Sequence, residues 1–324
     1  MSFSFKKEKH TNVADDPYKD RYVDAETQKL INSRKMGKEK REDLLSTLFL
    51  VPSLIGVVVF FIAPFFIVMY YALIDNPIHN KFVWIKNFIM VMKNPAFMKA
   101  SLNTVIFSFL AVPLAVVLSL VLAMVLEMKL PLRSQLRSFF LSPLMVPTAS
   151  IVLIWKVLFH ANGTVNSIIT SLGGTGIDWL NSKYAQIVLV CLFLWKNLGY
   201  NMILFMAALS SIPKDALEAA MLEKITKVQI FFHIKIRYIT STILFVTIMS
   251  LINSFKVFRE VYLMKGDYPY ETMYLLQHFM NNTFKSLDYQ KMSAAAIIMA
   301  VVMSLIIGGL FKLENKLSAD VEAD

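Results

Sequence analysis

Of 324 residues, 56% are hydrophobic and 17% charged, and the mean hydropathy is +0.55. That composition belongs to an integral membrane protein and excludes an ordinary soluble domain. The net charge of +10 does not argue for nucleic acid: the basic residues crowd the N-terminal segment and the loops beside apolar spans, which is ordinary membrane topology.

Residues 1–43 are polar, hold eleven Lys or Arg and lack the apolar core of a signal peptide. They are read as a cytoplasmic tail, partly disordered, with one helix over 24–41. Six apolar spans follow, at 44–74, 101–126, 138–155, 184–212, 238–255 and 292–311. Each is long enough to cross ~30 Å of hydrocarbon at ~1.5 Å per helical residue. Backbone groups in lipid must pair internally, so these are helices, too long for barrel strands. The expected architecture is all-α, with a permease domain over 44–317 and a short tail over 318–324. Cys191 lies in the fourth span and is the single cysteine, so no intrachain disulfide or cysteine metal cluster forms.

Orientation follows from Lys and Arg. With the N-terminus inside, 21 of the 33 lie on the cytoplasmic side, 11 on the outer side, and Lys196 within span four. The bias puts both termini in the cytoplasm, together with the charged segment 212–237 between spans four and five. That segment carries apolar residues at Leu217, Met221, Ile225, Val228 and Phe232, the spacing of one helix face. Pro213 suits a first helical turn, and Asp215 and Glu218 sit where the helix dipole favours negative charge.

The outer loops carry turn chemistry at Asn162-Gly163, Gly173-Gly174-Thr-Gly176 and Asp267-Tyr-Pro269. No Gly-rich turn is followed by Lys-Ser or Lys-Thr, so no nucleotide site of the chain's own is expected. His10, His79, His160, His233 and His278 are scattered, with no ligand partner at metal spacing. The six spans so drawn hold no carboxylate, which argues against a proton relay. The sequence supports neither an enzyme nor a proton-driven pump.

Polar residues inside the spans are more informative. Lys196, Asn197, Tyr200 and Asn201 form one stripe in span four, flanked by Trp195 and Gly199. A lysine there must face the bundle interior or water, because facing lipid costs ~2.5–3.5 kcal/mol. Thr247, Ser250, Asn253 and Ser254 form a second stripe in span five. Two readings fit both: interhelical hydrogen bonds, or a translocation pathway in which rings stack on sugar faces and amides bond hydroxyls. Trp195, Lys196, Asn197, Tyr200, Asn201, Ser250, Asn253 and Ser254 are the pathway candidates. For Asn103, Thr104 and Ser108 in span two, interhelical bonding is the preferred reading.

Ile212-Pro213, then Glu218-Ala219-Ala220, Phe231 and Ile234, resembles the Glu-Ala-Ala loop of binding-protein-dependent ABC importer permeases. Leu50-Val-Pro52, Ala63-Pro64, Asn103-Thr104, Arg137-Ser-Phe-Phe-Leu-Ser-Pro143, Pro147, Trp155, Phe159, Gly163 and Asn166 follow in the family's order. Ser254-Phe-Lys-Val-Phe258, Gly266-Asp-Tyr-Pro269, Thr272 and Ala294-Ala-Ala296 are similar to the carbohydrate-uptake branch, and within it to the maltose-type first permease. The resemblance covers nearly everything after residue 43.

It implies a type I importer permease fold in the bacterial plasma (inner) membrane. The implied partners are a second permease, two cytoplasmic ATPases that bind ATP and Mg, and an external solute-binding protein. The implied cargo is a sugar or oligosaccharide, and the chain itself holds no cofactor. Glu218, Ala219, Ala220, Glu223, Lys224 and Phe231 would form the coupling loop that docks on an ATPase. Glu223-Lys224-Ile225 replaces the family's Asp-Gly-Ala, and Ile234-Lys-Ile-Arg237 replaces its Ile-x-x-Pro. A lysine in place of that glycine implies a turn relaxed towards helix, since a left-handed lysine costs ~1–2 kcal/mol. Two alternatives stand beside this reading: an importer permease for an amino acid or phosphorylated solute, and a stand-alone channel or secondary transporter.

Overall fold

The computed structural model describes residues 47–128, 131–222 and 226–322. The tail over 1–43, Glu223 and Lys224 therefore lie outside the described residues. The chain divides into residues 1–66 and 67–324. Of the first unit, 47–66 are described; all are helical and none is buried. A helix apolar on every side is built to meet lipid or another membrane helix rather than water.

The described residues are helical almost throughout. Helix α1 spans Thr47–Leu73, and the side-chain amide of Asn87 donates to two carbonyls at its end, Ala72 O at 2.9 Å and Ile74 O at 2.8 Å. The short α2 (Lys86–Met92) precedes α3 (Pro95–Glu127). Asn94 caps α3 by accepting from Ala96 N and Phe97 N, with Pro95 in the first turn, where its missing N–H costs nothing.

The third span departs from the expected single helix. It is two helices, α4 (Arg133–Met145) and α5 (Thr148–Leu158), bent by 103°. Val146-Pro147 is the cause: a residue before proline is pushed out of the helical region, and Val146 has φ −90°, ψ 131°. The short α6 (Thr164–Ser171) and α7 (Ala185–Ser210) follow.

The fifth span is also longer than expected. Helix α10 runs Thr240–Lys265, ten residues beyond the apolar stretch, and brings Glu260 inside the span. The expectation of no carboxylate within the spans is thereby corrected. Between α7 and α10 lie α8 (Lys214–Leu222) and α9, residues 227–238, which includes a π-helical segment Ile230–Lys235. A short helix α11 (Leu276–Lys285) leads to α12 (Tyr289–Glu322). Among the described residues five helices can cross a membrane by length and composition, and six spans result when α4 and α5 count as one.

The core forms where α3 meets α7. Ala111 and Ala115 are fully buried with Phe107 against Val188, Leu189 and Leu192, small residues one turn apart that let two helices approach closely. Gly199 does the same for α7 and α4: a Cβ there would lie 1.9 Å from the Phe140 carbonyl oxygen.

Candidate translocation site and the loop over 212–237

The two polar stripes face each other across α7 and α10. Buried Asn201 donates to Ser250 Oγ at 2.9 Å, and Asn253 Nδ2 donates to Asn197 Oδ1 at 3.0 Å. Lys196 Nζ forms an ion pair with Glu260 Oε1. These contacts make an antiparallel ladder of three polar rungs. Ser254, buried on the same helix, shares a hydrogen bond with Ser108 of α3 at 2.8 Å.

Beside the outer two rungs lies a cavity of about 470 Å³. Its polar lining is Lys196, Asn197, Asn253, Lys256, Arg259 and Glu260, with Thr148 from α5. Asn201, Ser250 and Ser254 are spent on interhelical bonds below it, and Trp195 and Tyr200 are half-exposed on other faces of α7. A second cavity of about 490 Å³, lined by α3, α10 and α12, is almost wholly apolar. It offers a polyhydroxylated solute few partners.

Glu260 was missed by reading the sequence. It is 4% exposed, its Oε1 is bonded to Lys196, and its Oε2 has no hydrogen-bond partner among the described residues. Two signals pointed to it. Continuing the stripe two turns beyond Asn253 reaches position 260, and a lysine within a span calls for a counter-charge.

The loop over 212–237 is not the single amphipathic helix expected. Helices α8 and α9 are separate, and a capping box restarts the second. Gln229 N donates to Thr226 Oγ1 at 3.3 Å, while the Gln229 side chain accepts from Thr226 N at 3.0 Å. Thr-x-x-Gln is the sequence signature of that box. The break splits the apolar face. Leu217 packs on the bundle and Ala220 is buried, whereas Leu222, Val228 and Phe232 are 84%, 66% and 61% exposed. Glu218 and Ala219 are exposed, and Phe231 packs edge-on against Phe232. Lys235 fastens α9 to the end of α3 through Glu127 at 2.9 Å.

Residues 88–316 match the family described as the binding-protein-dependent transport system inner membrane component. The chain belongs to that family. It is thus an inner-membrane transport permease, which works with a solute-binding protein and is not an enzyme. The permease is 28% identical over 263 residues to the sulfoquinovosyl glycerol permease SmoG of Agrobacterium fabrum, covering 79% of this chain and 85% of that one. It is 27% identical to the sn-glycerol-3-phosphate permease UgpA of Pectobacterium atrosepticum over 83% and 92% of the two chains. With the lactose permease LacF of Rhizobium radiobacter the identity is 28% over 71% and 80%. Its fold matches a chain of a bacterial ABC transporter that imports the acidic polysaccharide alginate, with TM-score 0.77, 19% identity and coverage of 87% and 99%. A second structure of the alginate transporter holds an alginate pentasaccharide-bound periplasmic protein; its TM-score is 0.76, with 19% identity and coverage of 87% and 97%.

Several other residues singled out in the sequence hold the loops that follow α5 and α10. Asn166 bonds Ala161 O at 2.8 Å, Ile177 O at 2.7 Å and Trp179 Nε1 at 3.0 Å. Asn103 reaches Glu271 O and Tyr274 O, and Thr104 Oγ1 accepts from Leu276 N at 2.9 Å. His278, fully buried, accepts from Leu275 N at 3.2 Å through Nδ1. Burial pushes its pKa down to about 4, against the pull of Asp267.

Proposed function

We propose that this permease forms the membrane pathway for a saccharide or sugar-derived polyol, as one half of a permease pair driven by two cytoplasmic ATPases. The observation that carries the proposal is the set of relatives matched over most of their length: those named for sulfoquinovosyl glycerol, glycerol phosphate and lactose share a polyhydroxylated cargo. The cavity's amides and carboxylate supply hydrogen-bond donors and acceptors of the kind hydroxyls need. The basic-residue bias puts both termini, and the loop over 212–237, in the cytoplasm.

In that orientation Leu222, Val228 and Phe232 offer an apolar surface to a cytoplasmic partner, with Glu218, Ala219 and Ala220 at its base. Closure of the ATPases would push this loop, and the Lys235–Glu127 pair would carry the push to α3. A permease for a phosphorylated solute is the second reading, favoured by the similarity to UgpA; it differs in charge rather than in fold. The test is purification with the co-encoded subunits, reconstitution, and measurement of which solute stimulates ATP hydrolysis. A saccharide or its derivative is expected to do so. Stimulation by amino acids alone, or transport by the chain without an ATPase, overturns the proposal.

A further inference from the structure

Resting on that reading, we propose that the α7–α10 cavity selects an acidic sugar derivative, one that carries a carboxylate, sulfonate or phosphate beside its hydroxyls. Three cations and one anion line this cavity: Lys196, Lys256 and Arg259 against Glu260. Lys196 is neutralised by Glu260. Lys256 and Arg259 are exposed and make no ion pair among the described residues. The cavity therefore keeps two positive charges that no carboxylate among the described residues pairs.

A lysine and an arginine three residues apart stand about one helical turn from each other, spaced to share one oxyanion. Arginine's fixed fork suits two oxygens of a carboxylate, sulfonate or phosphate, and lysine adds a point charge. The Glu260 carboxylate, buried and paired with Lys196, disfavours a second anion close to it. Asn197 and Asn253 stand beside it, one amide donating and the other accepting in their own bond. The lining thus offers cations for an acidic group and amides for hydroxyls. A neutral sugar leaves the first unused, and an inorganic oxyanion leaves the second.

In the orientation proposed above, the cavity lies towards the outer end of α10, where a delivered solute enters first. Lys256 and Arg259 act there as specificity-determining residues. They need no movement to meet the solute.

The test uses the whole transporter in proteoliposomes with its binding protein, so that selection by that protein is constant across permease variants. The probes are labelled uronate-bearing, sulfonated and phosphorylated sugars, each beside its neutral parent. An acidic probe is expected to show the highest ATP-dependent uptake. The Lys256→Gln/Arg259→Gln double variant should lower that uptake about tenfold at sub-saturating solute, equivalent to ~1.4 kcal/mol. Arg259→Lys, which keeps the charge, should retain more of it, and Lys312→Gln, outside the cavity lining, should match the wild type. Variants are compared only as complexes that co-elute with their partners. Should the double variant fail to assemble, the single variants Lys256→Gln and Arg259→Gln decide, each expected to lower acidic uptake several-fold. Raising salt from 0.1 to 1 M shortens screening from about 10 to 3 Å and should weaken uptake of the acidic probe, leaving its neutral parent unaffected. Preferred uptake of a neutral parent overturns the inference and leaves the importer reading intact; so does acidic uptake indifferent to both charges and salt. No ATP-dependent uptake of any sugar probe overturns the importer reading, and this inference falls with it.

Discussion

Breaking the Lys196–Glu260 pair from either side should cost more than removing both charges together. Glu260 has a side chain only 6% exposed and Lys196 one that is 32% exposed. Removing one partner of a fully buried pair costs ~3–5 kcal/mol, because a charge is left without its counter-ion, while replacing both by neutral groups is often harmless. Since Lys196 reaches water over a third of its surface, Glu260→Gln should cost about 2 kcal/mol. Lys196→Met should cost somewhat more, because it strands the better-buried carboxylate. The double variant Lys196→Met/Glu260→Gln should lie within ~1 kcal/mol of wild type, so the coupling between the sites is about 3–4 kcal/mol. The measurement is the melting midpoint of the assembled complex, read as the fraction surviving graded heating on size exclusion. Both singles should melt earlier and the double should recover. Single losses that simply add in the double would refute the reasoning, as would singles that melt like wild type.

Gly199→Ala places a methyl 1.9 Å from the Phe140 carbonyl oxygen, which forces α4 and α7 apart; a loss of ~1–3 kcal/mol or more in complex stability is expected. Thr226→Ala removes the oxygen that caps α9, and hydrogen exchange should quicken over 227–232 by an amount equivalent to ~1 kcal/mol. Buried His278 has a pKa lowered to about 4, so the unfolded chain binds its proton first on acidification. Its contribution is fully present above pH ~6.5 and lost as pH falls towards 4, on the order of 3 kcal/mol. His278→Gln should flatten the dependence of melting on pH across that window. Asn253→Ala deletes both a cavity amide and the bond to Asn197; solute uptake should fall several-fold while the complex still assembles, and normal uptake would remove Asn253 from the pathway.

The spans were legible because lipid leaves the backbone no choice: an apolar run of twenty residues has to be a helix. Their ends and breaks were less so. Pro147 carried the bend between α4 and α5 in plain view, but a hydropathy window averages over it. Glu260 escaped because α10 continues past Phe255, where polar residues end the apolar run yet the neighbouring helices still bury one face. Thr226 and Gln229 announced a helix start that the continuous apolar spacing from Leu217 to Phe232 concealed. Two competing patterns occupied the same stretch, and the local hydrogen bonds of the capping box won over a face that had no continuous surface to pack on.

The ladder between α7 and α10 shows why its members differ in what the sequence can say of them. Its inner rungs pair short side chains, Asn201 with Ser250 and Asn197 with Asn253. From one to the next, α7 moves back four residues and α10 forward three, so both stay on facing stripes and periodicity alone could align them. The outermost rung breaks that step. Lys196 is one residue from Asn197, while Glu260 lies seven beyond Asn253, past the irregular turn at Val257 between Thr240–Lys256 and Phe258–Lys265. Only a long, flexible lysine stem reaches across that interval. Interhelical amide and hydroxyl bonds contribute ~0.6 kcal/mol each within a membrane bundle, whereas an unpaired charge there costs several times more. For stability the inner rungs are therefore replaceable, whatever Asn197 and Asn253 do for the solute, and the charged rung is the one whose partner is obligatory. It sits where the cavity opens, next to the two cations that have no partner of their own.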